Sequence, residues 1–132
     1  MSTSAPSPVL FVDRDGTLIE EPADLQVDSL AKVKFMPGVF PALMQLRKLG
    51  YRLVMVTNQD GLGTPSFPQA DFDGAHQFML DAFSSQGIEF HAVFVCPHFA
   101  KDTCECLKQK IRLVEDYVRE NGMDAARSAM IG

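Results

Sequence analysis

Two carboxylates separated by one residue stand at the end of an apolar run. Val9, Leu10, Phe11 and Val12 lead straight into Asp13, Arg14 and Asp15. In extended backbone, residues two apart leave the same face. Asp13 and Asp15 are therefore expected to face one site, with Arg14 pointing elsewhere. Two like charges in one place are costly unless a cation lies between them or they divide roles. A magnesium ion meets the first condition; a split into nucleophile and general acid meets the second. Gly16 follows, and an Asp-Gly pair turns the chain. The structural alternative is a plain hairpin, with "LFV" and "TLI" on either side of that turn.

A second group has metal-ligand chemistry. Cys96, His98, Cys104 and Cys106 crowd into one loop, which holds all 3 cysteines of the chain. An odd number so placed is a poor disulfide framework. Three thiolates and an imidazole make a closed tetrahedral set, the pattern of structural zinc. Closed coordination leaves no position for water, so the expected role is stability. The alternative is three reduced cysteines beside a surface histidine. His76 and His91 read as ordinary polar residues.

The elements that must position these groups alternate. Val9–Val12 reads as a buried strand. Val39, Phe40, Leu43, Met44, Leu46 and Leu49 recur at helical spacing, and Gly50 stands where a left-handed helix end is wanted. "YRLVMVT" is a second strand, ending in Thr57. Gln69 to Gln86 is a second helix, with Phe72, Ala75, Met79 and Phe83 on one face and Gly87 after it. "AVFVC" is a third strand, Ile111 to Glu120 a third helix, and "SAMIG" a fourth strand. Strands that are apolar throughout imply burial on both faces. The order predicts a three-layer, doubly wound, Rossmann-like α/β fold with a mostly parallel sheet. Ligands then bind beyond the carboxyl ends of the strands, where Asp13, Thr57 and Cys96 lie. "NQDGLGTPSFPQA", after Thr57, reads as a long loop able to carry substrate contacts.

Composition narrows the function. The chain has 132 residues, 17 acidic against 12 basic, and a formal net charge of -5. That balance gives no electrostatic footprint for nucleic acid and argues against an anionic membrane surface. An anionic substrate would need local neutralisation. Residues 1–8 are expected to be a flexible tail and residues 9–132 one domain. No signal peptide or spanning segment is apparent, so a cytoplasmic protein is expected. "GLGTPS" lacks the third glycine of a dinucleotide fingerprint. No glycine-rich loop ends in Gly-Lys-Ser/Thr, which excludes a P-loop.

"DRDGT" after an apolar strand resembles the first signature of the haloacid dehalogenase-like phosphatases. The resemblance implies that Asp13 attacks phosphorus and becomes an aspartyl phosphate. Asp15 would protonate the leaving alcohol and then activate water, with Mg²⁺ held at Asp13 and Asp15. Thr17 belongs to the same signature. Thr57 matches the second signature, which binds the phosphoryl group, and Asn58 follows it. Lys108 takes the place of the third, although Leu107 and Gln109 stand where the subgroup usually has Arg and Pro. Arg14 narrows the resemblance to the subgroup cleaving histidinol phosphate and heptose bisphosphate. It is assigned to the substrate, with a surface salt bridge as the alternative. The same subgroup carries a Cys-x-His…Cys-x-Cys zinc loop.

"TNQDGLGTPSFPQADFDGAH" is most similar to the phosphatase domain of a bifunctional histidine-biosynthesis enzyme, in which a dehydratase domain follows. The small-molecule phosphate ester expected is L-histidinol phosphate, with Glu20, Glu21, Asp24 and Asp60 as candidates for its ammonium. Little or no cap is expected. The fourth signature, an acid after "SAMIG", would lie past Gly132, so a C-terminally truncated domain with impaired catalysis and lowered stability is expected. The alternatives are a heptose-bisphosphate phosphatase and a catalytically inert, zinc-stabilised module.

Overall fold

The computed structural model describes residues 7–98 and 114–131. Four strands form one sheet: β1 (Val9–Val12), β2 (Arg52–Asp60), β3 (Ala92–His98) and β4 (Ala129–Ile131). Their order across the sheet is β3-β2-β1-β4, and every pairing is parallel. Helices α1 (Val39–Lys48) and α2 (Gln69–Ser84) lie between the strands in sequence. A third helix, α3, is described over 114–121. The architecture is the doubly wound α/β fold that the alternation of elements predicts.

Why both faces must be covered is visible in β1. All four residues are buried, and side chains leave a strand alternately. Leu10 and Val12 join Leu53 and Met55 of β2 in one core with Val39 and Leu43 of α1 and Ala75, Met79 and Phe83 of α2. Val9 and Phe11 join Val54 and Val56 on the opposite face, against Tyr117, Val114 and Val118 of α3. The sheet is thus the middle of three layers. Gly50 has φ +93° just after α1, the left-handed value expected there. Arg52 ties α3 to the sheet: its Nη2 donates to the Gly122 carbonyl at 2.7 Å.

Several expectations shift at the boundaries. β2 does not stop at Thr57. Asn58, Gln59 and Asp60 continue the ladder opposite Cys96, Pro97 and His98, because β3 is also longer than its apolar run and supplies backbone partners. The connection to α2 is correspondingly shorter than the sequence implies. α2 ends at Ser84, two residues before the expected end. Ser7 and Pro8 are not a loose tail: their carbonyls accept from Asp124 and Arg52 amides, each at 2.9 Å. The hairpin alternative does not form, since β1 pairs only in parallel and with β2 and β4. β4 is an edge of the described sheet, with all three residues exposed.

The core's tightest aromatic cluster surrounds Phe83, which is fully buried. Its ring centroid lies 5.3 Å from Phe35, 5.0 Å from Phe40 and 5.6 Å from Phe90. Truncation would leave a cavity between α2 and the segment ahead of α1. Phe83→Ala should lower the unfolding free energy by about 3–5 kcal/mol, read from urea melts; a loss under about 1 kcal/mol would show that the cluster is not packed as described.

Candidate active site

β1 ends at Val12, and the chain turns at once. The Asp13 amide donates to the Ile131 carbonyl of β4 at 2.9 Å, and the Leu18 amide donates to the Arg14 carbonyl at 2.8 Å. Gly16 has φ +84°, a value a side chain would strain. A Cβ at Gly16 would also meet Glu21 Oε2 at 3.7 Å, so Glu21 lies over the turn. The fold thereby brings Asp13 and Asp15 to one pocket of about 360 Å³, together with Glu21, Leu25, Thr57, Asn58 and Asp60. The pocket lies beyond the carboxyl end of β1 and beside the last residues of β2. That is where parallel sheets of this kind bind ligands.

Arg14 does not point away from the site, as simple alternation suggested. It is fully buried, and its guanidinium reaches back to its own neighbour. Nε donates to Asp15 Oδ1 at 2.7 Å and Nη2 to Asp15 Oδ2 at 3.3 Å. The Arg14 backbone amide donates to Asp13 Oδ1 at 2.9 Å. One residue therefore supplies donors to both aspartates, and its charge offsets part of their repulsion. This corrects two expectations. Arg14 is neither a surface salt bridge nor a lining residue of the pocket. With no exposed atom, it reaches a substrate only through Asp15.

Helix α2 holds that guanidinium from behind. Nη1 lies 3.0 Å from His76 Nδ1, and Cζ stands 4.9 Å above the Phe72 ring. Phe72 and His76 stack at 5.0 Å with an interplanar angle of 16°. Arginine can only donate, so Nδ1 must accept and the imidazole proton sits on Nε2. Burial first, and the Arg14 charge second, push His76 down to about 4. His76 is thus a neutral acceptor near neutral pH. Gln59 approaches from β2: its Nε2 donates to Asp15 Oδ2 at 3.0 Å and to Thr57 Oγ1 at 2.9 Å.

Other expected residues are distributed unevenly. Thr57 is buried at the pocket and Asn58 is exposed on its lining. Thr17 is half-buried in the turn, its amide on the Arg14 carbonyl at 3.3 Å. Glu20 lies apart from this pocket, with Lys32 and Lys34 in a separate cavity of about 130 Å³. Asp24 is paired with Lys32 at 2.6 Å, which holds its carboxyl below the usual range. Lys108 lies outside the described residues, as do Cys104, Cys106 and the His98 imidazole. Cys96 is buried at the end of β3 and disulfide-bonded. A zinc ligand at Cys96 would have to be its free thiolate. Among the described residues no group of three His, Cys, Asp or Glu side chains is arranged to hold a metal.

Sequence reasoning missed Gln59, His76 and Phe72. Gln59 was assigned to a loop, although its position two residues past Thr57 would have placed it on the same face had the strand been continued. His76 stands four residues after Phe72 on α2, a spacing that aligns side chains on a helix, but nothing local tied that pair to the Asp13–Asp15 turn.

No family model matches the chain. It is 53% identical over 124 residues to the histidine biosynthesis bifunctional protein HisB of Legionella pneumophila strain Lens, covering 94% of this chain and 35% of that protein. It is 55% identical over 126 residues to the protein of the same name from Actinobacillus pleuropneumoniae serotype 3, again covering 35% of it. The chain thus spans about a third of the length of the curated relatives it matches. Among solved structures, it is similar to D,D-heptose 1,7-bisphosphate phosphatase from B. bronchiseptica, complexed with magnesium and phosphate. That similarity has a TM-score of 0.80 and 29% identity, and covers 95% of this chain and 69% of that one. The chain is thus similar in sequence to a third of the HisB proteins and similar in fold to a solved heptose-bisphosphate phosphatase. The structure brings the Asp13–Asp15 turn and Thr57, the residues on which the resemblance rests, to one pocket.

Two outcomes follow from the buried Arg14 cation. Arg14→Ala should lower the unfolding free energy by about 3–5 kcal/mol, because it leaves Asp15 without its paired charge; denaturant melts within about 1 kcal/mol of wild type would contradict the pairing. His76 should also couple stability to pH. Below its ordinary value of 6.5 the unfolded chain takes up a proton, whereas the folded imidazole resists until about 4. Its contribution is complete above that range and is lost as pH falls through it. His76→Gln should flatten the fall in unfolding free energy across this window, and an unchanged slope would remove His76 from the account.

Proposed function

We propose that the chain is a Mg²⁺-dependent phosphomonoesterase that hydrolyses L-histidinol phosphate to L-histidinol and phosphate through an aspartyl-phosphate intermediate, in histidine biosynthesis. The observation that carries this reading is the convergence of Asp13, Asp15 and Thr57 on one pocket. Identities above half to relatives named for histidine biosynthesis support the pathway.

An Asp13 carboxylate oxygen attacks phosphorus as the ester P–O bond breaks. Asp15, which enters the step protonated, gives that proton to the leaving alkoxide, releasing the alcohol. Asp15 then takes a proton from water as the water oxygen attacks the same phosphorus. Phosphate departs, and the Asp13 carboxylate is restored. Thr57 donates to a phosphoryl oxygen, and Lys108 is proposed to neutralise phosphate charge. The pocket's donor set is oxygen-rich and acidic, which fits Mg²⁺, a hard cation that prefers carboxylate oxygen and water. Asp13 is the better-placed side chain, since Arg14 already occupies both Asp15 oxygens. When bound, the ion would offset the repulsion between carboxylate and phosphate.

The substrate's alcohol part carries an ammonium and an imidazole. Glu21 and Asp60 line the pocket beside the two catalytic acids, and would receive that ammonium. Arg14 and Thr17 would act through the turn, and Asn58 by contact. Glu20 would act only by long-range charge. A heptose bisphosphate has a second phosphate and no cation. The described lining holds no Lys or Arg, which favours histidinol phosphate despite the likeness to the solved phosphatase. Zinc is proposed for the reduced Cys96, His98, Cys104 and Cys106 set. The cytoplasm suits both a biosynthetic role and reduced thiols. Among the described residues no helix is long and apolar enough to cross a membrane. A dehydratase domain is a proposed partner in the longer protein.

Phosphate release measured with L-histidinol phosphate and with heptose bisphosphate, each with and without Mg²⁺, tests the reading. The expected result is Mg²⁺-dependent turnover that prefers histidinol phosphate. Asp13→Asn should lower kcat by about a thousandfold or more, and Glu21→Gln should raise KM for histidinol phosphate while leaving kcat nearly unchanged. Release of phosphate from the heptose substrate alone would overturn the assignment.

A further inference from the structure

Gln59 occupies an unusual position for a glutamine. It is 1% exposed, in the last turn of sheet before the pocket loop. Its amide nitrogen bridges the two signature elements, reaching Asp15 Oδ2 at 3.0 Å and Thr57 Oγ1 at 2.9 Å. The direction of each bond can be fixed. Arginine only donates, so the Asp15 oxygens facing Arg14 are acceptors, and Oδ2 among them takes Arg14 Nη2. The Gln59 atom facing Oδ2 must therefore be the donor nitrogen. That nitrogen carries two hydrogens: one goes to Asp15 and the other to Thr57 Oγ1. The Thr57 hydroxyl is then an acceptor toward Gln59, and its own hydrogen must be directed elsewhere.

The other end of the amide supports this orientation. Gln59 Oε1 is buried and makes no hydrogen bond among the described residues. A buried polar atom left unpaired costs about 1–3 kcal/mol. An amide free to choose would turn that oxygen toward a donor. The two acceptors at Nε2 hold it in place instead.

We propose that Gln59 is a positioning residue. Its amide clamps Asp15 and, by donating to Thr57 Oγ1, points the Thr57 hydroxyl hydrogen into the pocket as a donor to a bound phosphoryl oxygen. The inference rests on the phosphoryl-transfer reading of this pocket, but concerns anion binding and can be measured without turnover. Asp13 and Asp15 repel phosphate when no cation is present, so the binding is measured with Mg²⁺.

The probe is orthophosphate in the presence of magnesium chloride, titrated calorimetrically into the wild-type chain, Gln59→Leu, Thr57→Val and the double variant. Gln59→Leu and Thr57→Val should each weaken orthophosphate binding by about tenfold, the worth of one hydrogen bond to a charged group. The double variant should bind no more weakly than either single variant, because Gln59 acts through the hydroxyl that Thr57→Val removes. A residue that merely packs would not give that coupling. Should Gln59→Leu fail to fold, Gln59→Glu keeps the length and removes the amide hydrogens, and the same loss is expected. Unchanged binding in the Gln59 variant, losses that multiply in the double variant, or no orthophosphate binding by wild type would overturn the proposal. Orthophosphate binding with the expected coupling, but no turnover of histidinol phosphate, would sink the phosphatase assignment and leave this inference standing.

Discussion

A single buried cation organises this site. Arg14 gives its backbone amide to Asp13 and its guanidinium to Asp15. Two carboxylates so close would repel strongly in a medium of low effective dielectric. A full positive charge behind them lowers that cost before any ion or substrate arrives. The guanidinium in turn needs acceptors and a polarisable face. Helix α2 provides both, as His76 Nδ1 and the Phe72 ring. The sheet's geometry makes this possible, since β1 is central and α2 packs over its end.

The same arrangement explains why His76 is neutral. A protonated imidazole would have no lone pair for Arg14 and would add a second buried positive charge. Desolvation and the neighbouring guanidinium act in the same direction on its titration. Asp73 and Asp15 oppose them, and lose. The pocket side of the site has the opposite character. Glu21 and Asp60 add negative charge to the rim, so positive potential is kept behind the aspartates and negative potential in front. A dianionic ester entering such a mouth requires a cation from solution or from outside the described residues. A ligand with an ammonium group is drawn in directly. On the proposed reading, this division of charge favours a phosphate ester that carries a cation.

The fold was legible in the sequence because burial on two faces leaves an unmistakable pattern. "VLFV" and "LVMV" are apolar without alternation, and only a covered parallel sheet uses strands of that kind. The Asp13–Asp15 pair and Thr57 stand out for the same reason, as each follows directly on such an apolar run. What was not legible depends on partners distant in sequence. Asn58, Gln59 and Asp60 have poor strand composition and were assigned to a loop. They extend β2 because β3 offers backbone partners opposite them, and tertiary pairing overrides local preference. Arg14 was expected to point away because alternation holds in extended chain, but the turn at Gly16 ends the strand first. Its partner His76 lies 62 residues away, a separation no local pattern reveals. Ser7 and Pro8 have the composition of a tail and are held by carbonyl contacts that composition does not encode.

Stability alone does not account for these choices. A buried ion pair is often no more stable than well-packed apolar side chains of the same volume. Stability by itself does not require an ion pair at Arg14 and Asp15. Gln59 makes the same point, since its buried carbonyl oxygen has no hydrogen-bond partner among the described residues. Two locally costly features thus converge on one carboxylate. Interiors satisfy nearly all their polar groups, and exceptions gather where the arrangement serves chemistry. The Asp15 carboxylate takes the Arg14 fork from one side and the Gln59 amide from another, and this fixes its rotamer with three donors. A group proposed to give and then take a proton at a fixed point in space gains from such restraint, because its orientation does not have to be found anew at each step.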